Sequence, residues 1–167
     1  MSSKREQIVA AVVTALGGGG KPAAVPAPVR TRIDSPDAEQ LPALTVYQLA
    51  ETVEPERPPR PQRSRRGPIV RRQVEVAVEV LTKASETTAA DEAADAALVW
   101  ATQALRARTP TDDPEGAFAA FGDLADEVDE LATKFEYEMR GETAFCRATQ
   151  TWRIEYQTLS GDPEQTT

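Results

Sequence analysis

The chain contains no histidine and one cysteine, Cys146, in 167 residues. The first absence excludes Ser-His-Asp and Cys-His nucleophile systems, histidine-ligated metals and imidazole pH switches together. The second leaves no intramolecular disulfide and no cysteine metal cluster. Aromatic residues are scarce, at 5%. No run approaches the ~20 apolar residues that a bilayer-spanning helix requires. Positive charge is the minority sign: 19 Lys+Arg against 27 Asp+Glu give a formal charge of −8. What remains fits one acidic domain over residues 1–167, within the common range of ~100–200 residues. With this inventory an enzyme is not expected, and no catalytic, cofactor or metal residue is nominated.

What is present is a series of patterned segments. Residues 4–16, KREQIVAAVVTAL, predict a helix, because Ile8, Val12 and Leu16 recur at four-residue spacing with Ala11 and Ala15 beside them. Lys4 and Arg5 sit at the end that disfavours cations, so packing must hold this helix. Its apolar run is short and interrupted by Thr14, which reads as a helix rather than a secretory signal. Gly17–Gly20 predict its end and a flexible joint.

Val25–Ile33 predicts an edge strand, since Pro26 and Pro28 cannot donate to a ladder. Asp34–Gln40 reads as a turn region. Leu41–Glu51 predicts a second strand with Leu44, Val46 and Gln48 on one face. Ile69–Thr82 is the clearest strand. Val70, Val74, Val76, Val78 and Val80 share one face; Gln73, Glu75, Ala77 and Glu79 take the other, with Glu75 and Glu79 expected to be exposed.

Thr88 to Asp91 resembles a capping box, so a helix is predicted from there to about Arg108. Ala94, Leu98, Ala101 and Leu105 make a narrow stripe suited to lying close on a sheet. In the last third, Phe135, Tyr137 and Met139 alternate with acids. Arg140-Gly141-Glu142 predicts a tight turn. The return strand places Cys146, Ala148, Trp152, Ile154 and Tyr156 on one face and Arg147, Thr149, Arg153 and Glu155 on the other. Residues 159–167 predict a frayed tail. The sum is an α+β fold: a mixed or mainly antiparallel sheet packed by two helices, with a long Arg/Pro-rich loop over residues 51–68.

Arg57, Arg60, Arg63, Arg65, Arg66, Arg71 and Arg72 are the candidate contact residues. The stretch 54–68 has no apolar side chain, and prolines 55, 58, 59, 61 and 68 prevent a regular helix or central strand. Such a composition fits a solvated loop, a docking element for an acidic partner, or a nucleic-acid contact. The acidic balance and the lack of interleaved aromatics weigh against nucleic acid. Asp123, Asp126, Glu127, Asp129 and Glu130 read as a solvated acidic face, lacking the order of a calcium loop. Gly17–Gly20 and Lys21 follow a helix rather than open one, so they do not form a phosphate loop. Cys146 reads as a small buried hydrophobe. Trp100 and Trp152 read as core or interface anchors.

Taken in order, the helix REQIVAAVVTAL, the strand ending VRTRI, LPALTVYQLAE, the arginine-rich stretch, VRRQVEVAVEV, a long helix and TWRIEYQT resemble the tail terminator proteins of long-tailed bacteriophages, the minor tail protein U-like family. The resemblance covers about residues 5–158. LPALTVY, the V-x-V-x-V strand and W-x-I-x-Y carry most of it. It implies a non-enzymatic virion protein without a cofactor. That protein forms a homo-hexameric ring on the tail tube, stops tube polymerisation, and joins the tail to the head-tail connector or neck protein. DNA then passes through the lumen without specific binding, and an acidic ring repels phosphates. Location would be the virion neck, and the host cytoplasm during assembly. A neighbouring neck role, head closure or tail completion, and a nucleic-acid-binding accessory using the arginines are the alternatives.

Overall fold

The apolar stripe of the first segment folds as expected: α1 spans Lys4–Leu16, with Ile8, Val9, Val12, Ala15 and Leu16 buried. The structure, a computed structural model, describes residues 3–31, 38–54, 69–106 and 124–159. Ser3 caps α1, its hydroxyl accepting from the Glu6 N–H. The two cations at the helix start are compensated by tertiary partners. Lys4 is buried, and its Nζ donates to the Gln157 carbonyl at 3.0 Å. Arg5 reaches Glu51.

The glycine run is a defined turn rather than a free joint. The Gly17 N–H donates to Val13 O at 3.0 Å. Gly20 holds φ +95°, a left-handed conformation that glycine alone adopts without strain, beside the Trp100 ring. Trp100 Nε1 donates to Leu16 O at 3.1 Å, so the end of α1 is fastened to the second helix.

Five strands follow: β1 Pro28–Val29, β2 Ala43–Val53, β3 Ile69–Ala84, β4 Glu127–Arg140 and β5 Thr143–Leu159. Their order across the sheet is β1-β2-β3-β5-β4. Only β1 is parallel to its neighbour; the other pairings are antiparallel, so the sheet is mixed. Two helices, α1 and α2 (Thr87–Arg106), share the core formed on one sheet face, and the expected α+β class is the observed one.

Four expectations are corrected. The first strand is two residues, not Val25–Ile33, because Pro26 and Pro28 supply no N–H and the chain turns at Arg30; Ile33 lies outside the described residues. β2 runs through Val53, past the Glu51 at which a loop was expected to begin. The second helix begins at Thr87, with Ala90 N–H donating to Glu86 O. Thr88 therefore lies inside the first turn rather than at the cap position, because β3 continues to Ala84 and leaves only two residues for the reversal. β4 starts at Glu127, well before Phe135.

The core repeats the alternation read from sequence. Val74, Val76, Val78 and Val80 are fully buried, as are Leu44, Val46, Ala148 and Ile154. Ala94, Leu98, Ala101 and Leu105 of α2 pack against them. Trp152 is buried, its Nε1 donating to Gln150 Oε1 at 2.9 Å. The hairpin between β4 and β5 turns at Gly141, φ +62°.

Candidate subunit-contact surface

Of the seven nominated arginines, Arg57, Arg60, Arg63, Arg65 and Arg66 lie outside the described residues. Arg71 and Arg72 begin β3, and strand alternation sends them to opposite faces. Arg71 is exposed on the face away from the helices. Arg72 turns to the helix side, where its Nε donates to Thr158 Oγ1 at 3.1 Å and its Nη1 lies 3.3 Å from Glu51 Oε1.

Glu51 is the centre of this cluster. Its Oε2 accepts from Arg5 Nη1 at 3.1 Å, and the Tyr156 hydroxyl donates to its Oε1. One carboxylate thus ties together α1, β2, β3 and β5. Ser3, Arg5, Glu51, Arg72 and Tyr156 line an open cleft. Partial burial pushes the Glu51 carboxyl up. The hydrogen bonds from Tyr156 and Arg5 and the charges of Arg5 and Arg72 outweigh burial and hold it below the usual carboxylate range. Burial first, and then the bond to Glu51, push the Tyr156 phenol above its ordinary value.

Sequence alternation misses this cluster. Counting in twos from Leu44 and Val46 places Ala50 with the core and Glu51 in solvent. A β-bulge between Gln48 and Ala50 inserts Leu49 as an unmatched residue, and the parity reverses after it. Nothing in the segment LPALTVYQLAE announces that insertion.

The opposite sheet face is polar, and Glu79 corrects a further expectation. It is 1% exposed rather than solvated. Its Oε2 accepts from the Tyr47 hydroxyl at 3.1 Å and from Thr149 Oγ1 at 3.4 Å, and Arg147 Nη1 stands 3.8 Å away. Period two gave the correct face, but depth depends on neighbours, and β3 lies at the centre of the sheet. Glu75 is half-buried.

The acidic cluster is partly a strand. Asp129 pairs with Arg153 at 2.6 Å and Glu130 with Arg106 at 3.2 Å; Asp123 lies outside the described residues. No group of potential metal ligands occurs among the described residues. Near the far end of β4, the Tyr137 hydroxyl donates to Asp91 Oδ1 at 2.7 Å, which pushes the phenol up to about 12.

Cys146 is buried among core residues, and burial followed by the nearby Asp91 charge pushes its thiol up to about 11. The described groups include guanidinium–carboxylate pairs and exposed apolar side chains on the edge strands. No described helix is long and apolar enough to cross a membrane. No protein-family model matches the chain, and no curated protein matches it in sequence.

Proposed function

We propose that the chain is a structural protein of a long-tailed bacteriophage virion. It forms a homo-hexameric ring that caps the tail tube, ends tube polymerisation and offers the surface that joins tail to head. The observation that carries this reading is the order of its elements. A helix, the strand of LPALTVY, an arginine-rich stretch, a long valine strand, a second helix and a W-x-I-x-Y strand follow one another as in that family. The resulting α+β sheet is of the kind the resemblance implies.

The arginine-rich stretch lies between β2 and β3 in the chain and holds five arginines between residues 57 and 66. Guanidinium groups pair bidentately with carboxylates. Glu79 is already engaged within its own chain, so the acceptors on a neighbouring subunit are accessible ones such as Glu75 and Glu127. The net charge of −8 keeps DNA phosphates from adhering to the ring.

The test replaces Arg63, Arg65 and Arg66 with serine. Because this reading assigns the three arginines to the subunit contact rather than to the fold, monomer stability is expected to stay within ~0.5 kcal/mol. Electron microscopy of the purified protein is expected to show six-fold rings for the natural chain and impaired rings for the variant. Tail tube polymerised with the variant should run over-long. Unchanged rings and unchanged tube length in the variant would remove the arginines from the contact.

A further inference from the structure

The cleft around Glu51 has room and unused donors. It opens between the start of α1 and one end of the sheet, is lined by Ser3, Arg5, Glu51, Arg72 and Tyr156, and holds about 260 Å3. One water takes up ~30 Å3 in the liquid, so the space admits a group of several heavy atoms.

Each guanidinium carries five N–H donors. Among the described residues Arg5 commits one to a hydrogen bond, to Glu51 Oε2, and Arg72 commits two, to Thr158 Oγ1 and Glu51 Oε1. Arg5 Nε is shut off from solvent and has no acceptor; the Glu6 carboxylate stands 3.9 Å away, too far for a hydrogen bond. Buried donors without acceptors are few in folded proteins, and the place of an ion or water is one of the usual reasons for one.

The charge of the cleft has the matching sign. Two guanidiniums against one carboxylate leave its lining at +1. The adjoining charges on the helix side of the sheet cancel: Lys4 and Arg30 stand against Glu6 and Asp126. Arg71 and Glu155, next in sequence to Arg72 and Tyr156, alternate to the other face. Ser3 caps α1, so the positive end of the helix dipole lies at the same wall. This is a local excess of positive charge in a chain of −8.

We propose that the cleft binds a small oxyanion, a carboxylate or phosphate group held by the Arg5 and Arg72 guanidiniums. Guanidinium forks take both groups bidentately. A single negative charge brings the lining from +1 to neutral. Glu51 then acts in two ways: it fixes both guanidiniums in place, and its own charge limits how tightly the anion binds. The site is complete within one chain and does not depend on the ring proposed above.

The experiment follows the full chain by NMR at neutral pH as sodium phosphate or sodium acetate is added, with sodium chloride balancing the ionic strength. The reporters are the Arg5 and Arg72 Nε–H signals and the amides of Lys4 and Arg5. Both anions are expected to give saturable shifts at these groups in the millimolar range. Arg5→Gln should weaken binding about tenfold or more, because it removes a charge-assisted hydrogen bond. Glu51→Gln should tighten binding about three- to tenfold, because it takes a like charge out of the lining. A cluster that serves the fold alone predicts no such gain. The Arg5 side chain is 38% exposed, so Arg5→Gln is expected to fold. Thermal melting checks both variants; if Arg5→Gln is unfolded, Arg72→Gln takes its place, and if Glu51→Gln is unfolded, the arginine variant decides.

Saturation by both anions with this pattern supports the site, and saturation by one alone names the group it takes. Shifts that grow linearly without saturation, that match those given by chloride, that persist unchanged in the arginine variant, or that fail to tighten in Glu51→Gln overturn it.

Discussion

Replacing Glu51 with glutamine preserves shape and removes the charge that holds four elements together. A hydrogen bond to a charged group contributes about 1.5–3 kcal/mol net, and Glu51 receives three. The contributions are unequal. The Arg5 side chain is 38% exposed, so its pair is held to the roughly 0–1 kcal/mol of surface pairs. Arg72 is 19% exposed and Tyr156 2%, so these two retain more of their value. Glutamine can still accept from Tyr156 and from one guanidinium. Glu51→Gln is therefore expected to cost about 1–2 kcal/mol, and Glu51→Ala about 2–4 kcal/mol because it also leaves two guanidinium groups without their acceptor.

Urea unfolding at constant pH reads the difference directly. Its pH dependence follows from the direction of the shift. The Glu51 carboxyl is held below its ordinary 4.5, so the unfolded chain takes up the proton first as pH falls. The stabilisation is complete above the unfolded value and is lost as pH drops through the folded value. The gap between the natural chain and Glu51→Gln should thus stay constant from neutrality to about pH 5.5 and narrow steadily below it. A gap under ~0.5 kcal/mol at neutrality, within the range of an ordinary surface substitution, would refute the reasoning. So would a gap that does not change with acid.

Three further outcomes are expected. Ile154→Ala, at a fully buried site on β5 paired with Val74 and Val128, should lose ~2–5 kcal/mol by denaturant unfolding; a loss below ~0.5 kcal/mol would mean the two faces of β5 are exchanged. Cys146 should resist a thiol reagent at mildly alkaline pH and react only at the rate of unfolding, because the thiol is buried and raised to about 11; immediate reaction of the folded chain would contradict its burial. Gly141→Ala should cost about 1 kcal/mol. An added Cβ meets nothing within 4 Å there, so the penalty comes from φ +62° alone, and an unchanged melting temperature would place the turn in another conformation.

The local patterns that sequence carries translated directly into structure where one element decides the outcome. The four-residue recurrence of Ile8, Val12 and Leu16 marked α1 at both ends. Val74, Val76, Val78 and Val80 of β3 and the Trp152, Ile154 and Tyr156 row of β5 face the core as alternation requires, while Val70, near the start of β3, is only half-buried. Gly141 sits at the turn where a positive φ is needed. These features are short-ranged: helix period, strand pleat and turn conformation are properties of a few adjacent residues.

Tertiary structure decided whatever depends on residues distant in sequence. Leu49 bulges out of β2, and this one insertion turns Glu51 toward Arg5, Arg72 and Tyr156, residues 46, 21 and 105 positions away. Glu79 is buried because β3 has neighbours on both sides, not because of the residues beside it in the chain. The helix start at Thr87 follows from how far β3 continues, and a capping pattern at Thr88 could not anticipate that. β5 inserts between β3 and β4, which makes β4 the terminal strand among the described residues. Strand order is set by which apolar faces and edges can be satisfied simultaneously. That condition belongs to the assembled sheet, and no single segment encodes it.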